Sequence, residues 1–148
     1  MKIRLSRISG DRHRLAIVRS DGSCSEAEFE TRSVLFHDLV HYAIEAEAGI
    51  PDGFWGLLAA GADFADLDQH ATDAGRGIAL AESLVGPFQT LWKGGLVPDE
   101  YIRLFADAAP FVDQAFVKRV RERLRKLWGH WQGTPFHETM EITWPAET

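Results

Sequence analysis

The stretch SVLFHDLVHYAIEAEAG, residues 33 to 49, decides the fold because it carries the strongest helical pattern in the 148-residue chain. At about 100° per residue, its apolar side chains gather on one broad face and its polar side chains on the other. Ser33 can cap the start of this helix, and Gly49 supplies a stop signal. We expect it to be the central helix. The apolar face consists of Leu35, Phe36, Leu39, Val40, Tyr42, Ala43 and Ala46, and the polar face of His37, Asp38, His41 and Glu45.

The residues before this helix predict three β-strands. Apolar and polar side chains alternate over residues 2–8, 13–20 and 24–31, with turn-forming residues between the segments. The same alternation returns in TMEITW, residues 139–144. We therefore expect an antiparallel meander at the N-terminus, joined by the C-terminal strand in one small sheet.

The middle of the chain predicts further helices with short connections. Asp52 can cap a short helix, and Pro110 can begin the last and longest one. The whole pattern predicts a single α+β domain over residues 1–148, in which the small antiparallel sheet packs against five or six mostly antiparallel helices. Its parts are a β-meander at 1–32, a helical part at 33–131 and a C-terminal strand at 139–144.

The polar face of the first helix is the main candidate site. His37 and His41 lie one turn apart and can present ring nitrogens to one metal ion at bonds of about 2 Å. Their pattern, H-D-x-x-H, resembles the H-E-x-x-H pattern of metalloproteases, and Asp38 stands in the place of the general base of those enzymes. A divalent ion, with zinc as the first choice, makes metal-assisted hydrolysis the expected reaction, with Asp38 or Glu45 receiving a proton.

The two histidines need a third ligand from elsewhere in the chain. Glu45 lies about 12 Å along the helix axis from His37, so we expect it to orient His41 through the far ring nitrogen instead of binding the ion. The acidic segment at 63–73 offers His70 and Asp66. An imidazole or a carboxylate from this segment would complete a zinc-type set.

A second resemblance involves the same residues. The sequence LFHDLVH at 35–41 resembles the L-H-D core of the HD-domain phosphohydrolases, in which an adjacent His-Asp pair binds a divalent metal. That family also uses an earlier helical histidine and a later aspartate. The upstream histidine of this chain, His13, falls in a predicted strand, and we do not carry the activity over. The alternative to a metal site is a polar face that is solvated or hydrogen-bonded.

Composition limits the classes of partner. The net charge is −6, and residues 21–117 hold seventeen acidic side chains against four Lys and Arg. For an acidic chain we expect no nucleic-acid partner. The N-terminus lacks an uninterrupted apolar run, Cys24 is the single cysteine, and no apolar stretch is long enough to span a membrane. We therefore expect a cytoplasmic protein without a membrane partner.

A non-catalytic interaction protein is the alternative function. The last helix carries a basic face that would hold a protein partner. An apolar patch around Phe54 and Trp55 offers a second surface. In this case the histidines form only a polar network. The basic face consists of Lys118, Arg119, Arg121 and Arg125.

Three glycines stand in the short helical segment after the central helix. Each glycine in a helix costs about 1 kcal/mol relative to alanine. We therefore expect Gly53, Gly56 and Gly61 to permit close packing of the backbone.

Overall fold

The computed structural model describes residues 1–69 and 75–147, and its strands form a four-stranded antiparallel sheet. The order across the sheet is β3-β2-β1-β4. The N-terminal meander and the C-terminal strand therefore share one sheet, which confirms the predicted α+β fold. The strands are β1 (Lys2–Arg7), β2 (Arg12–Val18), β3 (Cys24–Glu30) and β4 (Thr139–Thr143).

The alternation along the strands places large apolar side chains on one face of the sheet. On β1, Ile3 pairs with Ile17 of β2 and Ile142 of β4, and Leu5 pairs with Leu15 and Met140. Because successive residues of a strand point to opposite faces, these pairs form a continuous apolar surface. This apolar surface of the sheet belongs to one hydrophobic core with residues of the helices. The most buried residues of the sheet, each at most 1% exposed, are Ile3, Leu5, Leu15, Ile17 and Met140.

The helix α1 (Phe36–Ala48) occupies the centre of the helical part, as expected. It packs against three other helices, and all eight of its residues from Asp38 to Glu45 are buried. Neighbouring helices enclose much of the polar side of α1 as well as its apolar side. Of the two forms that the alternative to a metal site allows, solvated or hydrogen-bonded, His41 and Glu45 take the hydrogen-bonded one, and His37 is half-buried. The other helices are α2 (Phe54–Ala59), α3 (Phe64–Gln69), α4 (Arg76–Trp92), α5 (Pro98–Leu104) and α6 (Gln114–Gln132). In the described ranges, none of them has both the length and the apolar character needed to cross a membrane.

The two ends of α1 match their predictions differently. The residues Thr31–Leu35 form a π-helical turn that leads into α1, so Ser33 lies within this turn and does not cap the helix. At the other end, Gly49 adopts a φ of 66° and its backbone N–H donates to the carbonyl of Ala46. This left-handed ending is the stop signal that the glycine predicted.

Two other predicted helix starts are wrong for local reasons. Asp52 does not cap α2, because the first backbone N–H groups of α2 bond to the side chain of Glu45. The last helix begins at Gln114 and not at Pro110. Its cap is Asp113, whose carboxylate accepts the backbone N–H of Phe116.

His13 is a buried histidine of β2 whose surroundings favour the neutral ring. Its Nδ1 lies 3.1 Å from Oγ1 of Thr31, and its ring contacts the rings of Phe29 and Trp131. Within the described residues, its Nε2 has no hydrogen-bond partner. Burial, and then the charge of Arg12, lowers the pKa of His13 from 6.5 to about 4.

This shift predicts a loss of stability in acid. Because the unfolded chain takes up a proton at His13 near pH 6.5 and the folded chain only near pH 4, stability falls as the pH falls between these values. Urea denaturation measures the free energy of unfolding at pH 7 and at pH 4.5. Between these two pH values, His13→Leu should lose about 2 kcal/mol less of this free energy than the unaltered protein does. Equal acid losses in both proteins would contradict a neutral, buried His13.

Candidate functional site

Two helices bring three potential metal ligands together. His37 and His41 lie one turn apart on α1, and their ring centroids are 4.8 Å apart. Glu82 approaches from α4, and its Oε1 lies 3.1 Å from Nε2 of His41. One ligand atom from each side chain can be chosen so that all three atoms lie within 4.8 Å of one another. The two predicted histidines are therefore neighbours in space, and the third member of the group comes from α4.

Glu82 is absent from the predicted ligand set, because it belongs to another helix. Glu82 and Gln89 are seven residues apart, or about two helical turns, so they share one face of the helix. This face meets the polar side of α1, since Oε1 of Gln89 lies 3.2 Å from Nδ1 of His37. The spacing groups Glu82 with Gln89, but only the packing of α4 against α1 brings this face to the histidines.

Glu45 connects the histidine pair to α2. Its Oε2 lies 2.8 Å from Nδ1 of His41, so the expected contact between these two residues is present. The same carboxylate accepts the backbone N–H groups of Phe54 at 2.9 Å and Trp55 at 3.1 Å. Gly53 leaves room for this arrangement, because a Cβ there would stand 2.3 Å from the Glu45 carboxylate. One buried side chain thus holds both the ring of His41 and the start of α2.

The surroundings of His41 favour its protonated form. Burial by itself lowers the pKa of the ring. The hydrogen bonds to Glu45 and Glu82, together with the negative charges of these two residues, outweigh the effect of burial and raise the pKa to about 9. The hydrogen bond with His41 in turn lowers the pKa of Glu82. At neutral pH the favoured state is therefore an imidazolium between two carboxylates.

The remaining predicted site residues have other environments. Asp38 is 7% exposed, and its backbone carbonyl accepts the indole N–H of Trp55 at 3.1 Å. Asp66 is exposed on α3, where its Oδ2 accepts the backbone N–H of Asp63. Neither aspartate belongs to the group formed by the two histidines and Glu82. His70 lies outside the residues that the structure describes.

The two surfaces expected for a protein partner differ in accessibility. Trp55 is fully buried and Phe54 is half-buried, so Trp55 adds no surface to the apolar patch expected there. On α6, the side chain of Arg119 donates to Glu47 at 3.2 Å, which neutralises part of the predicted basic face. In the part of the chain described, its other members form no ion pair and line a groove of about 250 Å³. These are Lys118, Arg121 and Arg125.

Comparison of the chain with protein-family models, with curated proteins and with solved structures found no match. Its function must therefore be inferred from the chemistry of its own residues.

Proposed function

We propose that this protein binds one divalent metal ion, zinc in the first instance, through His37, His41 and Glu82. The observation that carries the proposal is the convergence of two imidazoles and one carboxylate within 4.8 Å, where α1 meets α4. Two histidines and a glutamate are a ligand set that zinc uses in hydrolytic sites.

The contacts of Glu45 support this proposal. A metal-bound histidine commonly donates its other ring N–H to a carboxylate, which sets the tautomer and the orientation of the ring. Nδ1 of His41 makes this contact with Glu45 and leaves Nε2 facing Glu82. Since two backbone N–H groups of α2 hold the Glu45 carboxylate, the ring of His41 is oriented before an ion arrives.

A bound ion would require a small rearrangement. Zinc bonds of about 2.0 to 2.1 Å in a tetrahedral site place the ligand atoms about 3.3 Å apart. Nε2 of His41 and Oε1 of Glu82 are 3.1 Å apart, so the ion would replace the proton between them and draw His37 inward. The side chain of Glu82 is 43% exposed, which gives the ion a route from solvent.

Metal-assisted hydrolysis is the reaction class that we propose for this site. An ion held by these three side chains would leave one position for water and would lower the pKa of that water toward about 7. Both oxygens of Glu45 are engaged by His41 and by α2, which favours an orienting role over proton transfer. Asp38, which stands in the general-base position of the H-D-x-x-H pattern, is the proposed proton acceptor.

Isothermal titration of EDTA-treated, tag-free protein with zinc chloride tests the metal site. We expect one equivalent of zinc to bind with micromolar affinity or better. The double variant His37→Ala/His41→Ala should lose this binding because it removes both imidazoles. Glu82→Gln should weaken binding at least about tenfold, because an amide oxygen is a poorer zinc ligand than a carboxylate.

The control variant is His130→Ala/His137→Ala, which removes two histidines from exposed positions and should bind zinc as the unaltered protein does. Far-ultraviolet circular dichroism checks the fold of each variant. Glu82→Gln alters a partly exposed group, so it keeps the test decisive if the double variant of the site fails to fold. The metal site is refuted if folded protein takes up no zinc, or if the site variants retain full affinity.

Three cations of α6 support a second candidate function, the binding of an acidic protein segment. Lys118, Arg121 and Arg125 line one groove and lack ion-pair partners in residues 1–69 and 75–147. Binding of a poly-glutamate peptide in the presence of EDTA, followed by fluorescence anisotropy, separates this function from the first. Loss of such binding in Arg121→Glu/Arg125→Glu would identify the interaction surface, and unchanged binding would reject it.

A further inference from the structure

A cavity of about 330 Å³ opens beside the candidate metal centre, where α1, α4 and α6 meet. Three aromatic side chains, one from each helix, supply its apolar surface. The ring centroid of Phe36 lies 5.6 Å from that of Trp92 and 5.2 Å from that of Trp128. All three side chains are partly accessible to solvent. The cavity therefore offers aromatic ring surface to a ligand.

Two cations and no carboxylate line the same cavity. Arg32 belongs to the π-helical turn before α1, and Lys93 follows the last residue of α4. Both are exposed, and neither side chain forms an ion pair or a hydrogen bond within the described ranges. Lys93 stands at the negative C-terminal end of α4, which explains a cation at this position without a ligand. Arg32 has no such position in α4, so the same explanation does not apply to it. The cavity thus combines aromatic surface with two positive charges that none of the described residues neutralises.

We propose that this cavity binds a small planar aromatic molecule that carries an anionic group. The aromatic side chains would contact the ring of the ligand, and Arg32 and Lys93 would hold a carboxylate or a phosphate. The volume lies at the lower end of the range of about 300 to 1,000 Å³ for small-molecule sites. A ligand of one or two fused rings therefore suits the cavity.

The polar side of the cavity adjoins the candidate metal centre. His37 and Gln89 line it, and Oε1 of Gln89 lies 3.2 Å from Nδ1 of His37. A ligand bound here would stand next to an ion held by His37, so it is a candidate substrate for the proposed hydrolysis. The binding itself needs no ion, and it goes beyond the proposed metal site.

Isothermal titration of 1-naphthyl phosphate into metal-free protein, with EDTA present throughout, tests this inference. We expect saturable binding of one molecule. Arg32→Glu and Lys93→Glu should each weaken it about tenfold, because each change replaces an attraction with a repulsion. Trp128→Leu should weaken it by a similar factor of about ten through the loss of ring contact.

Related probes separate the contributions of ring and charge. We expect 2-naphthalenemethanol, which lacks the charge, and inorganic phosphate, which lacks the ring, each to bind at least about tenfold more weakly. The compound 1-naphthoate carries a carboxylate in place of the phosphate. Saturable binding of either anionic probe supports the proposal, and the tighter of the two identifies the anionic group.

Arg103→Glu is the matched control, because it makes the same charge change at an exposed position of α5 outside the cavity. It should leave binding unchanged. The proposal is overturned if neither anionic probe binds, if binding survives both charge reversals in the cavity, if Arg103→Glu weakens it equally, or if 2-naphthalenemethanol binds as tightly. Because EDTA removes metal ions from this titration, its outcome does not depend on the outcome of the zinc titration.

Discussion

Replacing Glu45 with alanine should lower the free energy of unfolding by about 3 to 5 kcal/mol, the size expected when one partner of a buried charged pair is removed. The residue is 1% exposed, and its carboxylate bonds to Nδ1 of His41 and to the backbone N–H groups of Phe54 and Trp55. The substitution leaves these groups buried without their partner. Urea denaturation in EDTA, followed by tryptophan fluorescence, measures the loss.

The pH dependence of this loss separates the charged pair from simple packing. The pKa of His41 is about 9 in the folded protein, against an ordinary value of 6.5. A raised pKa in the folded state gives stability that is fully present below pH 6.5 and is lost as the pH rises through about 9. The difference in the free energy of unfolding between the unaltered protein and Glu45→Ala should therefore become smaller as the pH rises from 6.5 to 9.

Glu47→Ala provides the matched control on the same helix. Glu47 accepts from Arg119 at 3.2 Å and from Arg123 at 3.0 Å, and Arg119 is exposed. An exposed pair such as the one with Arg119 contributes about 1 kcal/mol or less, and the partly buried pair with Arg123 adds to this. We expect a loss of stability that is smaller than that of Glu45→Ala and does not change over the range in which His41 titrates. Equal losses in the two variants, or a Glu45→Ala gap that is independent of pH, would contradict the role given to Glu45.

The second large effect is expected at Gly56, within α2. A Cβ at this position would stand 1.7 Å from the carbonyl oxygen of Pro51, which is a backbone atom and cannot rotate away. Gly56→Ala should therefore force α2 away from the turn before it and cost about 3 kcal/mol or more. Differential scanning fluorimetry should show the melting temperature falling by about 10 °C. Since α2 holds Glu45 through two N–H groups, zinc affinity should fall as well.

Gly129→Ala makes the same chemical change where space is available. Gly129 is exposed inside α6, and a Cβ there would have no atom within 4 Å. This variant should gain about 1 kcal/mol, because alanine is the better helix former. Gly56→Ala that melts at the temperature of the unaltered protein would disprove the contact with Pro51.

The three glycines near α2 show what a sequence pattern can predict and what it cannot. Gly53 and Gly56 permit close approach, as expected, because a Cβ at either position would overlap Glu45 or Pro51. Gly61 has open space around it and a φ of 113°, so its role is conformational. The sequence indicates that these glycines are needed, but not which neighbour excludes a side chain, since that neighbour is set by how the chain folds back.

The candidate site shows the same division. The four-residue spacing of His37 and His41 is a local property of a helix, and it predicted their proximity. The link from Glu45 to His41 is also local, because it joins residues one turn apart. Glu82 comes from another helix, and only the packing of α4 against α1 selects it.

The sequence by itself determined the strands, the central helix and the pairing of the two histidines, because each depends on a repeat within one segment. Only the tertiary structure decided that the polar side of α1 is buried, that Glu82 completes the group, and that Glu45 holds the start of α2. The physical reason is that a local pattern specifies the polarity of a face but not the face that it meets. That choice depends on the packing of elements far apart in the chain.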